Sequence, residues 1–162
     1  MQHEMVEAMM PAGQCGVAEL ASELIKLSSL LKELQTQSHL IHVNYEGMNF
    51  LEVHAFLKER YEEHLEQFDL VAELVRTLDH FMPMCACGLK ELMPEFQNVE
   101  SYEGRSMLLA YYANIESMGY MAKELEAMAA QVEAPDVQNH LADLTGSAFK
   151  TSWMLKAMLR HC

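Results

Sequence analysis

Basic residues are scarce in this chain: 11 Lys and Arg stand against 24 Asp and Glu, a formal net charge of −13. That sign opposes nucleic acid and anionic lipid, because both bind through Lys and Arg. The first basic residue is Lys26, so the N-terminal segment offers no polycationic arm. The sequence has no uninterrupted apolar run of the ~18 residues that a membrane span needs. The start, Met1-Gln2-His3-Glu4, lacks the basic opening and apolar core of a secretory signal. The expectation is a soluble, cytoplasmic protein. Cysteine is sparse too. Cys15, Cys85, Cys87 and Cys162 form neither a C-x-x-C zinc pair nor a disulfide framework. Free thiols in a reducing compartment are therefore expected, with Cys85-Ala86-Cys87 the one suggestive pair.

What is abundant is helical periodicity. Leu20, Leu24, Leu27, Leu31, Leu34 and Ile41 recur at steps of three and four, one apolar stripe on a helix. Gly47 supplies a stop, and Asn49 is placed to cap a second helix. Its stripe includes Leu57, Tyr61, Leu65, Phe68, Ala72 and Val75, and it ends near His80. Pro83, Gly88 and Pro94 then forbid one continuous helix, although Leu89–Leu92 can form a short one. A third long helix is expected from near Ser101, with Glu103 in its first turn. Leu108, Tyr111, Tyr112, Ile115, Met118, Ala122 and Leu125 make its stripe. Ala134-Pro135-Asp136 breaks it, and the fourth helix carries Leu141, Leu144, Ala148, Leu155 and Met158. Four helices of about 24–32 residues, with two short links and one long central one, describe a single all-α domain. Its architecture is a four-helix bundle with a crossover, preceded by a short extension over about residues 1–15.

The densest group of metal-ligand types straddles the first link: His39, His42, Asn44, Glu46, Glu52 and His54. Imidazole and carboxylate are the usual ligands of iron and zinc. His39 and His42 share a helix face at i,i+3, and Asp69 and Glu73 share one at i,i+4. A solvated surface accounts for either pair alone. His54 and Asp69 lie 15 residues apart. That separation is about 22 Å along a helix, so they cannot share a metal within one chain. A di-iron centre inside the bundle would need Glu-x-x-His steps that the sequence does not supply. If the His group and the acids do share a metal, it lies across a two-fold axis between antiparallel long helices. His64, His80, His140 and His161 have no evident partner and read as surface residues. The 14 methionines read mostly as core filler.

The run from His39 to His54 resembles the signature of the Dps (mini-ferritin) family, H-x-x-H-W-N-x-x-G-x-x-F-x-x-x-H. Tyr61, Asp69, Ala72 and Glu73 match its Y…D-x-x-A-E spacing, and Trp153-Met154-Leu155-Lys156-Ala157 looks like its C-terminal W-M-L-x-A. The resemblance covers almost the whole chain. It implies a ferritin-like bundle assembled as a hollow shell of twelve subunits, with ferroxidase sites shared between two of them. By matching positions, His42 of one subunit would hold a first iron with Asp69 and Glu73 of its mate. His54 would help hold a second, with Glu73 able to bridge. The implied activity is oxidation of Fe(II), by hydrogen peroxide in preference to oxygen, and storage of the ferric product, limiting oxidative damage. DNA association is not expected, given the charge. Glu133, Asp136 and Asp143 would lie where family shells have acidic pores.

Two positions depart from the pattern. Val43 stands where the family has Trp, and Lys58 stands where an acid completes the second iron site. A protonated ammonium cannot ligate and repels Fe(II). Either Glu62 or Glu59 substitutes, or Lys58 turns away onto a carboxylate. The alternative is a metal-binding shell with a degraded second site and little ferroxidase activity.

Overall fold

Leu20, Leu24, Leu27, Leu31 and Leu34 are fully buried, and this seam sets the first helix against its neighbours. The computed structural model describes the backbone of residues 12–160 and the side chains of residues 16–160. Among the described residues there are five helices and no strand. They are α1 (Ala12–Asn44), α2 (Phe50–Thr77), α3 (Ala86–Glu91), α4 (Gly104–Gln131) and α5 (Pro135–Arg160). The expected four-helix bundle with a short crossover helix is thus observed. Of the expected N-terminal extension, residues 12–15 belong to the first turn of α1 and the rest lies outside the described residues.

Helices α1 and α2 form one antiparallel hairpin, α4 and α5 another, and α1 also packs along α4. The end of α1 meets the start of α4 closely. A Cβ on Gly104 would lie 2.7 Å from the Tyr45 ring, so only glycine fits there without a shift. Tyr45 in turn donates its hydroxyl to Asn49 Oδ1 at 2.7 Å. Asn49 does occupy the N-cap position of α2, but its side chain makes no capping bond. The expectation that it caps the helix fails because Tyr45 takes that oxygen.

The crossover is pinned by buried polar groups rather than by apolar packing alone. Asn114 of α4 accepts from Gln97 N at 2.8 Å and donates to both Gln97 O and Gln37 Oε1 at 2.9 Å. Gln37 Nε2 also donates to Gln97 O at 2.9 Å. Each buried amide is thereby paired. Ser29 Oγ donates to Leu89 O at 2.6 Å and ties α3 to α1. The short helix begins three residues earlier than its expected start at Leu89, and α4 begins at Gly104 with Glu103 as its N-cap residue.

The buried stripe of α2 differs from the one expected. Val53, Leu57, His64, Val71, Leu74 and Val75 face the core, whereas Leu65 is 49% exposed. His64 is no surface residue. Its Nε2 accepts the buried Tyr111 hydroxyl at 2.7 Å, and its Nδ1–H donates to Gln67 Oε1 at 2.8 Å. Gln67 donates onward to Glu63, whose carboxylate holds Arg60 at 2.8 Å and accepts from Ser147. Arg60 reaches Thr151 of α5 at 3.1 Å. Hydrophobicity favours Leu65 for the core, but a histidine whose two nitrogens are satisfied can take the inward position. His80 has a partner as well, the Leu78 carbonyl at 2.8 Å from its Nδ1. His140 is exposed, as expected. His161 lies outside the described residues.

The thiol expectation also needs correction. Cys85 and Cys87 are joined as a disulfide, with Cα atoms 5.4 Å apart. The turn into α3 brings the two Cα atoms to ordinary disulfide separation. The side chains of Cys15 and Cys162 lie outside the described residues.

Burial lowers the pKa of His64 from 6.5 to about 4, because the imidazolium would lose its hydration in the core. The unfolded chain binds this proton from about pH 6.5 downward and the folded chain only near pH 4. Stability from neutral His64 is therefore complete above pH 6.5 and is lost as pH falls to about 4. The loss reaches roughly 3 kcal/mol at most. The expected result is that the denaturation midpoint falls over this window, and that His64→Gln flattens the fall; equal slopes in both proteins would assign the loss elsewhere.

Candidate metal centre

The last carbonyls of a helix have no partner within it. At the end of α1, Tyr45 N bonds Ile41 O at 2.8 Å, and the His42 carbonyl is taken by a side chain: His54 Nδ1 lies 2.8 Å from it. The arrangement is reciprocal. His42 Nδ1 lies 2.7 Å from the His54 carbonyl, and the two rings stack at 3.6 Å between centroids. A carbonyl can only accept, so Nδ1 carries the hydrogen in both rings. In the neutral tautomer each Nε2 is then left with its lone pair, the form that binds metals. Neither Nε2 has a hydrogen-bond partner among the described residues.

Neighbouring rings hold this pair in place. Phe50 stacks on His54 at 4.9 Å, and Tyr61 meets His42 edge-on at 5.3 Å. His39 lies over Tyr61 at 4.0 Å, so it buttresses the pair through Tyr61. His42 is buried and His54 half-buried. Ring orientation is therefore set by packing as well as by hydrogen bonds.

The acids lie elsewhere on α2. Leu51, His54, Lys58, Glu62, Leu65, Asp69 and Glu73 follow one another at steps of three and four. They form one stripe, turned away from the core residues Val53, Leu57, Val71 and Leu74. Asp69 and Glu73 are both exposed and have no hydrogen bond or ion pair among the described residues. The structure thus brings His42 and His54 together and keeps Asp69 and Glu73 apart from them along the helix. Among the described residues, no three His, Cys, Asp or Glu of one chain gather to hold a metal.

Lys58 Nζ sits 3.9 Å from Glu62 Oε1, and Glu59 lies 3.5 Å from Arg60. Lys58 therefore lies beside an acid on its own stripe. That contact, between two exposed groups, is weak. Inside the bundle, Glu63 is committed to Arg60 and Ser147, which leaves no free carboxylate beside His64. Glu133, Asp136 and Asp143 are exposed around the α4–α5 turn. No helix among the described residues is long and apolar enough to cross a membrane.

The class is a four-helix bundle with a central crossover, carrying imidazole and carboxylate groups along its outer hairpin. Residues 23–162 match the model of the ferritin-like domain, and the chain belongs to the ferritin-like family. Its fold is that of the Dps proteins. It is similar to the Dps protein of Vibrio cholerae, described as one of the ferritin-like diiron-carboxylate proteins. That likeness has a TM-score of 0.84 and 21% identity, covering 90% of this chain and 92% of the other. Against Dps from Thermosynechococcus elongatus the TM-score is 0.87 at 16% identity, covering 92% and 95%. An uncharacterized protein of Haemophilus influenzae is 23% identical over 145 residues, 90% of this chain and 91% of the relative.

The reciprocal bonds predict one tautomer at both histidines. Long-range proton–nitrogen correlation spectra at neutral pH should report Nδ1–H and a bare Nε2 for His42 and His54. An Nε2–H signature at either would remove the basis for treating it as a ligand.

Proposed function

We propose that the chain stores and detoxifies iron, oxidising Fe(II) at sites built between two copies of itself. The observation that carries this reading is the His42–His54 exchange of Nδ1–carbonyl bonds, which leaves the Nε2 of each stacked ring without a hydrogen-bond partner among the described residues. Histidine ligands are ordinarily fixed in this way, by a hydrogen bond from the other ring nitrogen. Carboxylates are still required, since they favour the ferric product. On the stripe of α2 that carries His54, Asp69 and Glu73 are acids without a hydrogen bond or ion pair among the described residues, but they stand too far along it.

A second copy of α2 laid antiparallel on this stripe, about an axis near Glu62, closes the gap. It sets His54 of one copy opposite Asp69 and Glu73 of the other, and the reverse, giving two equivalent sites. Large apolar residues exposed on this hairpin support such a contact: Leu40, Val43, Leu51 and Leu65. The metal is the substrate. His42, Asp69 and Glu73 hold the first Fe(II); His54, with Glu73 bridging, receives the second. Each Fe(II) gives one electron to a single hydrogen peroxide, which takes up two protons and leaves as two waters. Pairing the electrons in this way releases no hydroxyl radical. The ferric product then collects as mineral in a closed shell, expected to comprise twelve copies.

A second reading is favoured by one observation, the ammonium of Lys58 on this stripe. It opposes a second cation. Glu62, the candidate substitute ligand, is the acid beside which Lys58 lies. In this reading the site holds one iron and oxidises it slowly.

Anaerobic Fe(II) titration followed by a peroxide pulse, read by ferric absorbance, tests both. His42→Ala and Glu73→Ala should each slow oxidation by roughly a hundredfold while light scattering shows the assembly intact. Unchanged kinetics in both variants would overturn the site. Two irons per site in the parent favours the first reading. One iron per site, rising to two in Lys58→Asp with faster oxidation, favours the second.

A further inference from the structure

The turn Met82-Pro83-Met84-Cys85-Ala86-Cys87 holds four sulfur atoms in six consecutive residues. The ferroxidase reading uses none of it. Met82 packs partly against the core. Met84 does not: its side chain is completely exposed, so burial gives no reason for a thioether there. Cys85 and Cys87 are exposed as well, and their Cα atoms lie 5.4 Å apart. Met84, Cys85 and Met93 line one groove beside α1, together with Pro83, Lys32 and Lys90.

The turn is held in shape. Cys85 Sγ accepts the Gly88 backbone N–H at 3.2 Å. A Cβ on Gly88 would come within 3.1 Å of Pro83 Cβ, so the turn packs closely against that ring.

We infer that the reduced Cys85–Cys87 pair, with Met84 and Met93, is a binding site for copper(I). Thiolate and thioether are soft donors and select copper(I) over the hard and borderline ions that carboxylate and imidazole prefer. Two thiolates at this separation can close on one ion, and the thioethers complete a sulfur set without adding charge. Zinc gains little from thioethers, which distinguishes the two metals. The site is governed by redox state. A thiol reductant breaks the Sγ–Sγ bond, its two electrons leave both sulfurs as thiols, and the reductant becomes the disulfide. Copper(I) then displaces the thiol protons into solvent. With the disulfide formed, neither sulfur carries the charge the ion requires.

The test uses the full-length protein, reduced and freed of reductant under nitrogen, with copper(I) bicinchoninate as the probe. The reduced protein should withdraw copper(I) in equimolar amount, bleaching the chelate, and release it when the disulfide is re-formed. The Cys85→Ser/Cys87→Ser variant should withdraw none, and Cys15→Ser/Cys162→Ser should behave as the parent. Circular dichroism and iron oxidation should be unchanged in both. Withdrawal by the Cys85→Ser/Cys87→Ser variant equal to the parent's overturns the assignment. Met84→Leu/Met93→Leu should weaken copper(I) binding by at least about tenfold, the cost of losing even an outer partner of a metal. Zinc binding by that variant should stay as in the parent; equal losses for both metals would remove the thioethers from the site.

Discussion

The end of α1 poses the problem around which the candidate centre is organised. Helices stop with carbonyls that have no partner inside the helix. Here His54 takes the His42 carbonyl and His42 takes the His54 carbonyl. One exchange therefore closes the α1–α2 hairpin, stacks two imidazoles and decides which nitrogen of each carries the hydrogen. The hairpin then positions the stripe of α2 on which Asp69 and Glu73 stand. Closing the hairpin and orienting the two candidate ligands rest on the same two hydrogen bonds.

The interior of the bundle is closed to comparable chemistry. A carboxylate and an imidazole do meet there, Glu63 and His64, but each is committed. Glu63 is held by Arg60 and Ser147, while His64 lies between Tyr111 and Gln67. The chain of bonds leads from the Tyr111 hydroxyl to a neutralised carboxylate, and burial keeps His64 uncharged. The second buried cluster, Asn114 with Gln37 and Gln97, fastens the crossover. Both clusters give the bundle polar contacts that only one arrangement of helices satisfies. The candidate ligands Asp69 and Glu73 lie exposed on the outward stripe of α2, with His54 half-buried on the same stripe.

Much of this was legible in the residues themselves. The seam leucines of α1, Leu20, Leu24, Leu27, Leu31 and Leu34, lie at helical spacing and are buried, because one continuous apolar stripe has to face the neighbouring helices. The breaks at Gly47, Pro83 and Pro135 likewise mark real links. The stripe of α2 was misread at Leu65, since hydrophobicity does not reveal that His64 has Tyr111 and Gln67 waiting for it. Asn49 was misread because its competing partner, Tyr45, acts through the side chain. The spacing of His42, His54, Asp69 and Glu73 already excluded a site within one chain. It did not reveal the reciprocal bonds, which depend on how two helices meet end to end.

By itself, then, the sequence determined the helices, their links and the distance between histidines and acids. These follow from periodicity, from breakers and from the constant rise of a helix, all of them local. Tertiary structure alone decided that His42 and His64 are buried and which of their ring nitrogens are left bare. Each of those depends on atoms brought together by packing, and one-dimensional spacing carries no record of their partners.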